Sequence, residues 1–397
     1  MLEQDKHTMN PSEHAPVPFG DLRRQAATLQ ADLAAAAQRV IQSGWYVLGS
    51  EVAAFEQEFA AACGVAHCVG VASGADALYL ALAALGIGAG DEVITVANAC
   101  TYQADAIIQT GALPVLVDVD PTTHTLDAAQ LAQAITPRTR AIMPVHLYGR
   151  LADMTTITAI AEQAGIPVIE DAAQAHGAWH TDAAGNPRYA GAWGTLAGFS
   201  FYPTKNLGAV GDGGAVVTND ASLAEQLRRL RQYGWDRKYV VSAYGGRNSR
   251  LDELQAALLR VKLPHLPHGN ATRRQLAAQY RAGLAATPLG LPPDEAGHVY
   301  HLYVVVAQSH TEREQLREYL RRHGIGCDVH YPVPAHIQPI YSAWRSATQP
   351  WLRPQGAGSL PHTEQLAQRI LSLPLYPELT SAEIDRVIAV VRGFYSG

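Results

Sequence analysis

Gly198-Phe-Ser-Phe-Tyr-Pro-Thr-Lys205-Asn-Leu-Gly208 joins an apolar strand pattern to a turn closed by glycine, and lysine is scarce in this chain. Only Lys6, Lys238 and Lys262 accompany Lys205. A proline two residues before it and a glycine three residues after it restrict the turn, so this lysine cannot range as surface lysines do. Lysine amines in such places form Schiff bases with carbonyl compounds once burial or a nearby cation lowers their pKa. A lone lysine in a turn also reads as plain surface cover, so the surrounding sequence has to supply the rest of a site.

Outward from that turn, short apolar runs alternate with helical segments, the pattern of an α/β domain on a mostly parallel sheet. The runs 93–96, 113–117, 141–145, 168–170, 196–201 and 215–218 predict strands, and helices are predicted near 76–85, 101–110, 127–134, 153–164 and 220–232. Leu22, Leu29, Leu33 and Val40 give an amphipathic helix ending at Gly44, and a second helix follows over 51–62. Residues 1–20, polar and with prolines at 11, 16 and 18, predict a flexible N-terminal arm, with order beginning near Asp21. The helical pattern from Leu251 to Lys262 meets Pro264 and Pro267, which predict a hinge. The division is therefore a large domain over 21–262 and a smaller α+β domain over 263–397. In the latter, a strand is expected over 299–306, and Thr311-Glu-Arg-Glu314 and Thr380-Ser-Ala-Glu383 predict capping-box helix starts.

The chain has 397 residues, enough for two packed domains, and 48% of them are hydrophobic. A net charge of −6 supplies no broad positive field, which argues against nucleic acid as a partner. Arg228, Arg229 and Arg231 read as the solvated face of a helix end. Cys63, Cys68, Cys100 and Cys327 are scattered and complete no zinc pattern, which fits a reducing cytoplasm. No apolar run approaches a membrane span or a signal peptide, so no membrane partner is expected.

Around Lys205 the sequence places candidates for each demand of pyridoxal phosphate (PLP) chemistry. Asp171 ends the strand pattern Pro167-Val-Ile-Glu-Asp171 and suits a carboxylate facing the pyridine nitrogen; it also reads as a cap on the next turn. Gln174 could reach the ring oxygen, or be a solvated loop residue. In Ser73-Gly-Ala-Asp-Ala-Leu78 a glycine turn opens a helix, so Gly74 and the free amides of Ala75 and Asp76 suit a phosphate. Ser200 could add a hydroxyl to it. Tyr102 is placed to stack on the ring, although tyrosines there are commonly packing residues. Gly86-Ile-Gly-Ala-Gly90 invites a dinucleotide reading, but its spacing is wrong and it precedes a strand. His176 and His180 are four apart, yet Gly177 interrupts them, and no metal site is expected.

Glu170-Asp-Ala-Ala-Gln-Ala-His-Gly-Ala178, the Gly198–Gly208 segment with Gly211-Asp-Gly-Gly214, and Gly246-Arg-Asn-Ser-Arg-Leu-Asp-Glu-Leu-Gln-Ala256 together resemble the DegT/DnrJ/EryC1/StrS family of PLP-dependent sugar aminotransferases. The resemblance implies PLP fold type I, the aspartate aminotransferase-like fold, and a homodimer with shared active sites. It implies Lys205 as the catalytic lysine and Asn248 as a contact to the phosphate of the neighbouring subunit's cofactor. Arg250 is then a candidate for the amino donor's carboxylate, or a salt-bridge partner of Asp252. Ala75 stands where the family often has threonine, which removes one hydroxyl contact. Lysine at 205, where a dehydratase branch carries histidine, favours transamination. Gly326-Cys-Asp-Val-His-Tyr-Pro-Val-Pro-Ala-His-Ile-Gln338 is most similar to members that aminate C3 of nucleotide-linked 3-keto sugars. That implies His330, Tyr331 and Tyr46 at the sugar. The expected reaction moves an amine from L-glutamate to a nucleotide sugar, a dTDP-3-keto-6-deoxyhexose; a 4-keto sugar, a cyclitol, or a regulatory protein of the same fold are the alternatives.

Overall fold

Parallel strands that are buried on both faces need continuous apolar runs, and the runs found here pair into one sheet. The computed structural model describes residues 15–182, 184–339, 341 and 357–396. Across the sheet the strands run Leu113–Val117, Glu92–Val96, Thr139–Ile142, Ile169–Asp171, Leu196–Ser200, Gly214–Thr218 and His67–Val71. Parallel bridges Ile142↔Val168 and Val145↔Asp171 join its two halves. Pairing is parallel throughout except around Gly214–Thr218, which is antiparallel to both neighbours.

The strand His67–Val71 is absent from the sequence-based expectations. Its run His-Cys-Val-Gly-Val is short and holds a glycine, both weak signals. Gly70 is needed there: an added Cβ would stand 3.0 Å from Leu251 Cβ, and its carbonyl accepts from Arg231 Nη1 at 2.9 Å. Arg231 is accordingly buried and paired with Glu56, not part of a solvated face.

The helix Gly74–Ala84, rich in alanine and leucine, packs on the strands Leu196–Ser200 and Gly214–Thr218, while Ser50–Cys63 covers the edge strand His67–Val71. Phe55, Phe59, Phe199 and Phe201 interlock with centroid spacings of 5.0 to 5.5 Å. Edge-to-face contacts of this kind add roughly 0.5–1.5 kcal/mol each beyond burial.

Order is already present before Asp21. Val17 is buried, its amide donates to the Gly324 carbonyl at 2.9 Å, and its carbonyl accepts from Gly326 N at 2.8 Å. The rest of the predicted arm, residues 1–14, lies outside the described residues. At the predicted hinge the helix Glu253–Lys262 runs through a turn at Leu263–His265 into the helix Leu266–Leu284, each proline sitting in a first helical turn where its missing N–H costs nothing.

In the C-terminal part Tyr303–Val306 pairs antiparallel with Ile370–Leu373. The predicted strand from 299 is shorter because its start turns toward Gly149: Val299 N donates to Gly149 O at 2.9 Å. The helix His310–Arg322 is capped by Ser309, whose hydroxyl accepts from Glu312 N, so the cap falls two residues before the expected Thr311. At the last helix the expected box is complete, with Thr380 N donating to Glu383 and Glu383 N to Thr380 Oγ1. Among the described residues, no helix is long and apolar enough to cross a membrane.

One buried carboxylate ties the middle of the sheet to the loop behind it. Glu170 accepts from the amides of Gly191, Trp193 and Gly194 at 2.7 to 2.9 Å and from His146 Nε2 at 2.8 Å. Because His146 Nδ1 accepts from Ala152 N at 3.2 Å, Nε2 must carry the proton. Glu170→Gln removes one acceptor for these buried donors, and a loss of about 1–3 kcal/mol is expected. The check is a lower urea midpoint for the Glu170→Gln variant, with unchanged slope.

Candidate active site

Parallel strands present their carboxyl ends along one edge, and that is where the singled-out residues meet. A cavity of about 800 Å³ opens there. Gly74, Ala75, Tyr102, Asp171, Ser200, Lys205, His330 and Tyr331 all line it.

Lys205 follows the strand Leu196–Ser200. Its amide donates to Tyr202 O at 2.8 Å, which closes the turn, and Gly208 is compelled because a Cβ would lie 2.3 Å from Pro203 O. Asn206 anchors the turn from behind. Its Nδ2 donates to Asn270 Oδ1 at 2.9 Å and to Val299 O at 3.1 Å, and its Oδ1 faces His301 Nδ1 at 3.2 Å. Since that oxygen accepts only, His301 donates from Nδ1. Burial pushes the Lys205 amine down to about 8, and Asp171 and Cys100 oppose the shift. An amine so placed is half deprotonated just above neutrality and thus available as a nucleophile or base.

Asp171 is buried at the end of its strand, with Oδ1 accepting from Ala173 N at 3.1 Å. Burial raises its carboxyl above the usual range; the Ala173 amide, Lys205 and His146 pull the other way. A cation brought against it would be held strongly in so dry a place.

The helix Gly74–Ala84 points its first turn into the cavity, with Ser73 as its cap. The cap overturns one expectation: the Asp76 amide is not free but donates to Ser73 Oγ at 3.1 Å, and the Asp76 carboxylate pairs with Arg247. The amides of Gly74 and Ala75 have no acceptor among the described residues. Gly74 also lets Ser200 approach, since a Cβ there would be 2.5 Å from Ser200 Cβ. Two open amides, a hydroxyl and the helix dipole make an anion cradle.

Gln174 stands behind the wall. Its Oε1 accepts from Tyr148 N at 2.7 Å and its Nε2 donates to Tyr331 Oη at 3.0 Å, so it positions Tyr331. His330 accepts or donates at Nδ1 to Ser372 Oγ at 2.9 Å and stacks on Phe19 at 5.5 Å. Tyr46, Asn248 and Arg250 lie outside this cavity. Tyr46 and Asn248 are exposed, and Arg250 has no ion-pair partner among the described residues, Asp252 included. His176 is buried against Phe199 and Phe201 while His180 sits exposed on the strand Trp179–Thr181.

The sequence reading missed Phe19, Asp21, Arg273, His301, Asp328, Tyr376 and Glu378, which also line the cavity. They come from five separate regions, residues 19–21, 273, 301, 328 and 376–378, and no local pattern marks them. Only Pro18-Phe19-Gly20, an aromatic in a turn before a helix, offered a signal.

This chain is similar to a dTDP-3-amino-3,4,6-trideoxy-alpha-D-glucose transaminase of Streptomyces venezuelae, 48% identical over 382 residues and covering 95% of each protein. The crystal structure of S. venezuelae DesV in complex with a ketimine intermediate superposes with a TM-score of 0.89 at 47% identity, covering 97% of this chain and all of that one. NtdA from Bacillus subtilis, solved with its bound cofactor PMP, gives a TM-score of 0.87 at 31% identity, covering 97% of this chain and 86% of that one. Residues 27–392 match a single family description, and with the lysine turn, the buried aspartate and the open helix N-terminus in one cavity, the chain belongs to the DegT/DnrJ/EryC1/StrS aminotransferase family.

Proposed function

We propose that this protein is a PLP-dependent aminotransferase that passes an amine from L-glutamate to the C3 keto group of a nucleotide-linked sugar, a dTDP-3-keto-6-deoxyhexose. The observation that carries it is the meeting of Lys205, Asp171 and the Gly74–Ala75 amides in one cavity. The residues fit the cofactor: the open amides and Ser200 suit its phosphate, Asp171 its ring nitrogen and Lys205 its aldehyde. When bound, PLP supplies an electron sink that makes the proton on the amine-bearing carbon removable. With the cofactor held there, Lys205 would be the base that takes and returns the proton at the amine-bearing carbon in both halves of the exchange. Asp171 would hold the ring nitrogen protonated, and Tyr102 would stack on the ring. His330 and Tyr331, which line the same cavity, would meet the sugar. The C3 reading rests on the likeness to the transaminase of S. venezuelae.

We also place Asn248, and with it Arg250 and Tyr46, against the cavity of a second copy. Trp45, Tyr46, Tyr239, Val241 and Tyr244 are each more than half exposed in the single chain, a surface that a homodimer would cover. All four cysteines are free, which suits a reducing cytoplasm.

Borohydride reduction of the enzyme with PLP, followed by peptide mapping, is expected to label Lys205; label elsewhere or none ends the assignment. Lys205→Arg should lower turnover by at least about 1000-fold while unfolding at a similar temperature. Because only the neutral amine attacks a carbonyl, covalent capture of PLP by the apo-enzyme should speed up as pH rises, with a midpoint near 8 and not near the 10.5 of an ordinary lysine. Stopped-flow absorbance across pH 6 to 10 reads it. Gly74→Ala should weaken PLP affinity at least about tenfold through its collision with Ser200. Mixing inactive Asn248→Ala and Lys205→Ala variants should restore activity through hybrid dimers, and no recovery would sink the shared site. Product analysis with 3-keto and 4-keto nucleotide sugars decides the carbon.

A further inference from the structure

Arg273 is a buried cation with no counter-ion among the described residues. It lies on the helix Leu266–Leu284, is 7% exposed, and lines the same cavity as Lys205. Its Nη1 donates to three carbonyls, Tyr300 at 3.1 Å, His301 at 3.4 Å and Leu375 at 2.8 Å. Its Nε and Nη2 have no partner, and it enters no ion pair, among the described residues. Buried charges are ordinarily paired, because removing a guanidinium from water is costly unless an anion meets it. Burial indeed pushes Arg273 down to about 10; Glu378 is the acid that acts on it in the other direction, without an ion pair between them. The carbonyls fix one nitrogen and leave the Nε–Nη2 edge, the side of a guanidinium that meets a carboxylate with two parallel hydrogen bonds. His301, which feels the charges of both Lys205 and Arg273, shares the wall.

We propose that Arg273 receives a carboxylate of the amino-acid donor on its Nε–Nη2 edge, so that one cavity holds the donor by its acid group while its amine faces Lys205. This rests on the aminotransferase reading above. Arg250, outside the cavity of its own chain, leaves Arg273 as the arginine on the wall of this chain's cavity. The phosphates of a nucleotide sugar are the other anions available, and they are separated from the carboxylate by testing the two halves of the exchange independently.

The experiment uses PLP-loaded enzyme and the variants Arg273→Lys and Arg273→Gln. Calorimetric titration with glutarate, a dicarboxylate without an amine, should show binding to the parent enzyme and at least about tenfold weaker binding to Arg273→Lys, which keeps the charge and loses the fork. In single-turnover work the glutamate half should need correspondingly more glutamate for half-maximal rate. The keto-sugar half, started from the pyridoxamine phosphate form, should change less than about threefold. Unaltered glutarate binding in both variants overturns the proposal, as does a loss confined to the sugar half, which would put phosphate on this edge. Equal losses in both halves with a lower unfolding temperature would make Arg273 a packing residue and overturn it too. If the parent enzyme takes an amine from no amino acid, the aminotransferase reading fails instead, and glutarate binding still decides whether the edge accepts a carboxylate.

Discussion

Two neighbouring acids on one short strand do opposite work, and the site depends on that opposition. Side chains alternate across a strand, so Glu170 and Asp171 must face opposite ways. Glu170 is satisfied by three amides and His146, which fixes the strand end against the loop behind it. Asp171 is thereby turned into the cavity, in a place dry enough to raise its own carboxyl. A register slip of one residue would exchange them, leaving the loop amides without an acceptor and the cavity without its intended charge. The backbone bonds His146 N to Asp171 O at 3.0 Å and Asp171 N to Pro144 O at 2.9 Å hold the register.

The same logic of fixing from behind recurs at Lys205. Its backbone is closed by Tyr202 and Gly208, but the turn as a whole hangs on Asn206, and through it on Asn270, Val299 and His301. Asn270 in turn donates to the His176 carbonyl at 2.8 Å, in the segment that follows Asp171. The lysine and the aspartate are therefore set by one connected network, not by two independent loops. Such rigidity would serve the proton transfer proposed for Lys205, because a side chain's reach is only as exact as the turn beneath it.

Much of this is legible in the amino-acid sequence itself. Apolar runs such as Glu92–Val96 and Leu113–Val117 announced their strands because both faces are buried and the composition shows it. His67–Val71 was not readable, since its evidence is the antiparallel partner Gly214–Thr218, about 150 residues away. Lys205, Asp171, Ser200 and the Gly74 turn could be named because each lies in a local motif at a strand end. Asp76 could not be placed correctly, because a serine three residues earlier competes for its amide, a choice between two good acceptors that spacing alone does not decide. Arg273, His301 and Phe19 carry no local mark at all. Their meaning comes from contacts with residues far off in sequence, and only the folded chain supplies those.

The cavity is lined by elements of different make. Lys205, Asp171 and the Gly74 turn grow from the sheet and its first-turn amides, whereas Phe19 and Asp21, Asp328 and Tyr376 belong to a short N-terminal strap and to C-terminal loops. Val17 ties that strap to residues 324–326 by two backbone bonds, beside the Arg386 contact to the Ala15 carbonyl and the stack of Phe19 on His330. Substitutions at the strap and loops can thus reshape the opening without disturbing the strand ends that hold the lysine. A lineage built this way can change what the strap and loops admit while the strand-end residues stay put, since the two sets of side chains come from separate stretches of chain.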